Sequence, residues 1–264
     1  MTFQPIVPFG GFAGWSFLNR TRETQQEAFD QSVEIVRDTD YFAANIGEIT
    51  TAEDLVKDRR LLSVALGAFG LDDDIGNKFF INKILADGTL EPDALANRMS
   101  DKRYLAMSKA FGFGDFPTPN TQLSDFPAKI IDAFKTQKFE AAIGAQNEDM
   151  RLVKSLDRDL TEIVEKSTSD DGRWFTIMGT PPLRKIFETA LGLPASFGAI
   201  DINQQLTTFR EQSERLFGEG EVSQFSDPEK RDELVRVFLA RSDIISNSAS
   251  FSPSSAALTL LQST

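Results

Sequence analysis

The chain has 264 residues, with 28 Lys and Arg against 40 Asp and Glu, and its net charge is −12. A chain so acidic and without a basic run is a poor partner for nucleic acid or an anionic membrane, and no stretch approaches the ~20 consecutive apolar residues of a membrane span. It contains no Cys and no His, which excludes thiol nucleophiles, disulfides, Cys/His zinc sites and Ser-His-Asp triads.

The first predicted segment, residues 1–18, is an N-terminal arm. Its sequence, MTFQPIVPFGGFAGWSFL, contains two prolines and three glycines and shows neither helical spacing nor strand alternation. We expect a flexible, non-helical arm that either packs across the domain surface or docks a partner. The aromatic side chains available for docking are Phe3, Phe9, Phe12, Trp15 and Phe17.

A helical unit is predicted over residues 19–116, and it contains two similar segments. DLVKDRRLLSVALGAFGL occupies residues 54–71, and NRMSDKRYLAMSKAFGFGDF occupies residues 97–116. With one residue of slippage, the copies align Asp58 with Asp101, Arg60 with Arg103, Leu62 with Leu105, Phe69 with Phe111, and Gly70 with Gly112. Each copy predicts a helix that starts at Asp and Arg, buries its Phe in the core, and ends in a left-handed turn at Gly.

The proline-rich residues 117–127 are the clearest predicted linker, and a second helical unit is predicted over residues 128–245. This unit contains a third, weaker copy of the repeat, PPLRKIFETALGL. In that copy the Leu, Ala, Phe and Gly places are taken by Leu183, Ala190, Leu191 and Gly192.

The C-terminal residues 246–264 are rich in Ser and predict a disordered tail. A small apolar patch within it, Leu258, Leu260 and Leu261, is a second candidate docking element. Over the whole chain, the helical spacing of apolar residues and the absence of a convincing strand pattern predict an all-α protein of about ten short helices, built from duplicated helical units.

Charged residues at the start of the two repeat copies are the candidate binding residues, namely Asp58, Arg59, Arg60, Asp101, Lys102 and Arg103. The arginines would act as a paired clamp for a phosphate or carboxylate, since the guanidinium fork suits such groups. In the alternative interpretation, each Arg pairs with its neighbouring Asp or with the end of an adjacent helix.

No motif for catalysis, a metal or a cofactor is found. DDDIGNKFFINK at residues 72–83 resembles a calcium loop, but Gly76 falls at position 5 instead of 6, and Lys83 occupies the place of the bidentate Glu. The P-loop, Gly-x-Gly-x-x-Gly, Gly-x-Ser-x-Gly and Ser-x-x-Lys patterns do not occur. We therefore predict no catalytic residue, no metal and no cofactor.

Three strings carry a resemblance to a known family. They are RDTDYFAANIGEITTAEDLVKDRRLLSVALGAFGLDDDIGNKFFINKILADGTL, LANRMSDKRYLAMSKAFGFGDF and WFTIMGTPPLRKIFETALGLP. The chain resembles the bacterial domain-of-unknown-function family DUF1217 over roughly residues 1 to 245. This resemblance implies an alphaproteobacterial helical protein with internal repeats, from a family whose members are often encoded near flagellar genes. It implies no functional residues.

The sequence supports two main functional hypotheses. The leading one is a non-enzymatic helical interaction protein, an assembly or regulatory factor of flagellar motility with a protein partner. The alternative is an anion- or small-molecule-binding protein, or an enzyme, that uses the repeated Arg clusters. A scaffold without a link to motility is a third option. The N-terminus lacks the features of a Sec signal, so we expect a cytoplasmic protein, with export by the flagellar apparatus without a cleaved signal as the alternative.

Overall fold

A computed structural model describes residues 3–99, 101–166 and 169–250. Every regular element in these ranges is helical, with thirteen α-helices and five short 3₁₀ turns. The predicted all-α fold is confirmed. The described residues divide into two compact units. The first comprises the residues up to Pro5 and Arg22–Ala142, and the second comprises Ile6–Thr21 and the residues from Ile143 onward.

Helix α1 (Gly11–Asp30) corrects the prediction of a non-helical arm, since the helix begins at Gly11 within residues 1–18. The glycines that suggested a break serve close packing instead. A Cβ at Gly14 would lie 1.9 Å from the carbonyl oxygen of Phe9, and one at Gly11 would lie 2.0 Å from Asp243 Oδ2. Glycine is used here because the backbone approaches its neighbours closely.

The first unit contains most of the repeated sequence. Its helices after α1 are α2 (Val33–Asn45), α3 (Ala52–Lys57), α4 (Arg59–Ala68), α5 (Lys78–Asp87), α6 (Leu95–Arg98), α7 (Lys102–Phe111) and the main part of α8 (Phe126–Gly144). Its fully buried core includes Phe42, Leu62, Phe111, Phe134 and Phe139. Thr51 caps α3 by accepting a hydrogen bond from the Asp54 amide at 3.1 Å, as the Thr-x-x-Asp pattern indicates.

The predicted linker at residues 117–127 lies inside the first unit, and the boundary between the units falls near the end of α8. A 3₁₀ turn at Asn120–Gln122 interrupts the proline-rich stretch, and Thr121 within it is buried. The Thr121 hydroxyl donates to the carbonyl of Ile49 at 2.6 Å. Prolines remove backbone donors, but this side-chain hydrogen bond fastens the segment to the residues just after α2.

The second unit contains the remaining helices, which are α9 (Glu148–Lys166), α10 (Asp170–Gly179), α11 (Pro181–Leu191), α12 (Ile202–Phe217) and α13 (Pro228–Ser250). Its core is aromatic. The Trp174 ring lies 5.4 Å from the rings of both Phe187 and Phe209, and its indole N–H donates to the carbonyl of Gly220 at 3.0 Å. The buried polar group of Trp174 is therefore satisfied, as a dry core requires.

The predicted disordered tail begins too early, because α13 continues through Ser250. Once a helix is nucleated and packed, adding a further residue is cheap even for Ser and Asn. The tail residues proposed for docking, Leu258, Leu260 and Leu261, lie outside the described residues.

Candidate functional site

Asp58 acts as the N-cap of α4. Its Oδ1 accepts hydrogen bonds from the amides of Arg60 at 2.8 Å and Leu61 at 3.0 Å, and its Oδ2 accepts one from the Tyr41 hydroxyl at 2.7 Å. Burial opposes ionisation of this carboxyl, but the hydrogen bonds from Tyr41 and the two amides outweigh it, so the pKa of Asp58 lies below its usual value. The carboxylate is thus engaged by the start of its own helix and by Tyr41 of α2.

The Arg60 guanidinium lies over the ring of Tyr41, 3.8 Å from its centroid, and donates to the carbonyl of Arg37 at 3.2 Å. Stacking on an aromatic face and donation to a carbonyl are the ordinary structural uses of Arg. Arg59 is exposed on the first turn of α4.

The second copy uses its charges in the same local way. Asp101 caps α7 by accepting from the Arg103 amide at 3.0 Å, and it pairs with the Arg103 guanidinium at 2.6 Å. The hydrogen bond from Arg103 lowers the pKa of Asp101. Arg103 also donates to the carbonyl of Gly70, just past the end of α4. Lys102 donates to the carbonyl of Met99 at 2.9 Å.

The structure does not bring the two arginines together as a clamp. Arg60 lies at the start of α4, while Arg103 contacts Gly70 beyond its end. The ten residues of α4 span about 15 Å at 1.5 Å per residue. The six charged residues therefore form two separate helix-start clusters, in line with the alternative in which each Arg pairs locally or with an adjacent helix end.

The aromatic residues of the predicted arm differ in exposure. Phe9 is 61% exposed and Phe12 is 42% exposed, and the Arg236 guanidinium lies 5.0 Å from the Phe12 ring centroid. The other three members of the set, Phe3, Trp15 and Phe17, are partly buried.

A groove of about 740 Å³ lies in the second unit between α11 and the C-terminal part of α13. Its lining combines charged side chains with apolar ones, and the residues are Pro181, Arg184, Lys185, Glu188, Thr189, Gly192, Leu193, Arg241, Ile244 and Ile245. A volume in this range is typical of binding sites. We call this surface the α11–α13 groove.

Two of its basic side chains have partners within the second unit. Arg184 donates to Glu188 Oε1 at 2.7 Å and to Gln205 Oε1 at 2.7 Å, so its charge and its donors are engaged. The Lys185 ammonium lies 3.7 Å from Asp149 Oδ1 and is half exposed. Lys185 can reach a ligand more readily than Arg184 can.

Arg241 differs from both, because it has no hydrogen bond or ion pair to any residue in the described ranges. Its Nη1 lies 2.3 Å from the position that a Cβ at Gly192 would occupy. Gly192 ends α11 with φ of +72°, a backbone conformation that requires glycine, and the Arg241 guanidinium lies beside it. The guanidinium thus lies at the negative end of α11, where a cation is favoured, with its donors unused.

Two isoleucines extend the groove along α13. Ile244 is 67% exposed and Ile245 is 57% exposed, and with Arg241 they occupy positions i, i+3 and i+4 of one helix face. An apolar pair beside a guanidinium can bind a ligand that is partly apolar and partly anionic.

Sequence reasoning missed Arg241, Ile244 and Ile245. The apolar stripe of α13 that faces the core, Leu234, Val235, Phe238 and Leu239, repeats at steps of four. Ile245, seven positions after Phe238, continues that stripe, so only Ile244, a large apolar residue off the core face, was an available signal. Arg241 carried no signal of its own, because a single Arg on a helix ordinarily lies in solvent.

The part of the chain that the structure describes contains no candidate metal cluster and no candidate membrane span. It contains no group of three or more Asp or Glu side chains placed to hold a metal ion. No helix in those same ranges is both long enough and apolar enough to cross a membrane.

Comparison with known proteins places the chain in a family. A search of curated proteins found no match. The crystal structure of a structural-genomics target protein from Agrobacterium tumefaciens is similar in fold, with a TM-score of 0.70, 22% sequence identity, and coverage of 91% of this chain and 98% of that one. The model of the family described as "Protein of unknown function (DUF1217)" matches residues 68–230, more than half of the chain. The predicted resemblance is confirmed, and the chain belongs to the DUF1217 family.

Proposed function

We propose that this chain is a non-enzymatic helical interaction factor of bacterial motility, and that it binds a protein partner in the α11–α13 groove. The observation that carries the proposal is the exposed pair Ile244 and Ile245 beside the unengaged guanidinium of Arg241. Large apolar side chains grouped in the open, together with Arg, are typical of the centre of a protein–protein interface.

The link to motility has a separate basis. It is an expectation from the resemblance to a family whose members are often encoded near flagellar genes. We place the binding event in the cytoplasm, with export through the flagellar apparatus as the alternative. Swimming of a deletion strain in soft agar tests the link, and detection of a tagged chain in the culture medium tests export.

Site-specific photo-crosslinking tests the groove. Ile245 is replaced by benzoylphenylalanine in the full chain, inside the cells that encode it. The matched control carries the same group in place of Phe79, which is 85% exposed in the first unit. We expect a protein adduct of one defined mass from position 245 and none from position 79. Absence of an adduct at position 245, or the same adduct at both positions, would contradict the proposal.

A variant test connects binding with motility. Ile244 and Ile245 are both changed to Asp in a complemented deletion strain, with Phe79→Asp as the control. The changed side chains are exposed, so we expect both variants to fold. Loss of swimming only in the Ile244/Ile245 variant is the expected result.

A second candidate function is the binding of a small anion. The groove volume and the unused donors of Arg241 favour it. A thermal-shift screen with phosphate, nucleotides and dicarboxylates tests it. Substantial stabilisation that disappears in Arg241→Ala, but persists in Arg59→Ala, would favour the anion over the protein partner.

A further inference from the structure

The α11–α13 groove is lined by more basic than acidic side chains, whereas the chain as a whole has more acidic ones. It contains three basic side chains and one acidic one, whereas the chain as a whole has 28 basic and 40 acidic residues. The acidic member, Glu188, already accepts a hydrogen bond from Arg184 at 2.7 Å. Lys185 lies 3.7 Å from Asp149, so the unpaired positive charge in the groove comes from Arg241.

A guanidinium with unused donors matches a carboxylate best, because its planar fork can form two parallel hydrogen bonds. The Arg241 guanidinium lies at the end of α11, in the space beside Gly192. The adjacent isoleucines provide apolar surface one turn along α13. A matching ligand therefore has a carboxylate and apolar side chains about one helical turn apart.

The shape of the groove favours a helix as that ligand. Its lining runs along α11 from Pro181 to Gly192, a length of about 16 Å or three turns at 1.5 Å per residue. Two neighbouring helices with an apolar strip between them accept a third helix through anchors at i, i+3 or i+4, and i+7.

From these observations we infer that the occupant of the α11–α13 groove is an acidic amphipathic helix of the partner protein. This inference rests on the proposed function. A carboxylate of the partner helix pairs with Arg241, and its apolar face packs on Ile244 and Ile245. Lys185, half exposed on α11, provides a second attraction for acidic residues. A basic helix is rejected, because its charge would lie against the unpaired Arg241.

Two fluorescent peptides serve as the probes. Each is a helix of about 18 residues with Leu at the anchor positions, and they differ only in flanking residues that are all Glu or all Lys. Fluorescence anisotropy with the full chain, at an ionic strength of about 0.15 M, compares them. We expect the Glu peptide to bind about 10-fold more tightly than the Lys peptide.

Charge reversal at Arg241 is the decisive variant. Arg241→Glu should reverse the preference, so that the Lys peptide binds more tightly. Arg59→Glu is the matched control, because it makes the same charge change on an exposed residue of the first unit and should leave the preference unchanged. Changing Ile244 and Ile245 to Asp should abolish binding of both peptides, and circular dichroism confirms that each variant is folded.

Equal binding of the two peptides, or a preference that Arg241→Glu does not alter, would overturn the inference. Displacement of the Glu peptide by inorganic phosphate alone would overturn it in favour of a small anion. If position 245 yields a protein adduct while the peptides bind equally, the acidic helix is wrong and the proposed function stands. If position 245 yields no adduct, the proposed function falls and the inference falls with it.

Discussion

Helices α4 and α7 each contain ten residues, and each begins directly after a capping aspartate, Asp58 or Asp101. They differ in burial. Seven residues of α4 are buried, so the helix is enclosed on most sides, whereas four residues of α7 are buried along one face. Similar sequence thus makes one helix of the core and one helix of the surface.

The ends of the two helices explain why the phenylalanine of one copy is buried and that of the other is partly exposed. Both copies turn at a glycine with positive φ, +66° at Gly70 and +67° at Gly112. Gly70 lies twelve positions after Asp58, but Gly112 lies eleven positions after Asp101. The extra residue in the first copy rotates the end of that copy by about 100° around the helix axis. Phe111 therefore enters the core, while Phe69 remains partly exposed.

The two repeat copies should differ most in how much stability they lose when their phenylalanine is changed to Ala. Phe111 is fully buried and its ring lies 5.1 Å from that of Phe126. We expect Phe111→Ala to lower the free energy of unfolding by about 3–5 kcal/mol, and Phe69→Ala by less than about 2 kcal/mol. Urea denaturation of both variants measures this. Equal losses would show that the two side chains are equivalent after all.

Alanine at the two terminal glycines is the next test. At Gly70 the new Cβ has 3.4 Å to its nearest neighbour, so the cost is the left-handed conformation, about 1–2 kcal/mol. At Gly112 the Cβ would also lie 2.9 Å from the Phe116 ring, and we expect about 2–3 kcal/mol. Thermal unfolding of the two variants should rank them in this order, and the reverse ranking would contradict the packing described at Gly112.

Helix α7 carries a tyrosine of its own that should make its stability depend on alkaline pH. Burial and the hydrogen bond to Asp74, at 2.6 Å, raise the pKa of Tyr104 to about 12, whereas α4 has Leu61 at the matching position. Because this folded-state pKa exceeds the unfolded value of about 10, the stabilisation is complete below pH ~10 and is lost as the pH rises through ~12.

Urea denaturation between about pH 9 and pH 12 compares wild type with Tyr104→Phe. Wild type should lose on the order of 2 kcal/mol more over this range than the variant does. Parallel pH profiles would exclude Tyr104 as the source.

Removal of the capping carboxylates should have a smaller effect. Asp58 accepts three hydrogen bonds, including that from Tyr41, so Asp58→Ala should cost about 1–2 kcal/mol and Asp101→Ala about 0.5–1 kcal/mol. Both carboxyls have a lowered pKa in the folded chain. Their contribution is therefore present above the unfolded pKa of about 4 and is lost as the pH falls through the folded value. Each variant should show a weaker loss of stability in acid than wild type, and an unchanged acid profile would contradict the assignment.

The smallest effects are expected at the two arginines. Both are exposed, so each should contribute less than about 1 kcal/mol. Arg103→Ala should cost more than Arg60→Ala, since Arg103 pairs with Asp101 and also reaches Gly70. Neither variant should change the photo-crosslinked adduct at position 245. Loss of that adduct in folded Arg60→Ala would indicate that the repeat is a binding site.

The sequence predicted those features of the fold that depend on residues close together in the chain. The Thr51 cap depends on residues three positions apart, and the left-handed turns at Gly70 and Gly112 depend on the glycine itself. The start of α1 could not be predicted in this way, because Gly11, with φ of +60°, packs against a carboxylate of α13, more than 200 residues away.

The α11–α13 groove illustrates the same limit for the site. Its two walls come from residues 181–193 and 241–245, which have no common motif, and helix packing brings them together. Gly192 was predicted as a helix end, which the structure shows, but its contact with Arg241 depends on the tertiary fold.

The hydrogen bond from Arg103 to the carbonyl of Gly70 has a consequence for how the first unit opens. A side chain at the start of the second copy satisfies the backbone group with which the first copy ends. If either segment were removed, the donor or acceptor remaining in the other segment would hydrogen-bond to water instead. The two copies are therefore not independent modules. In native-state amide hydrogen exchange, the end of α4 and the start of α7 should open together as one cooperative element.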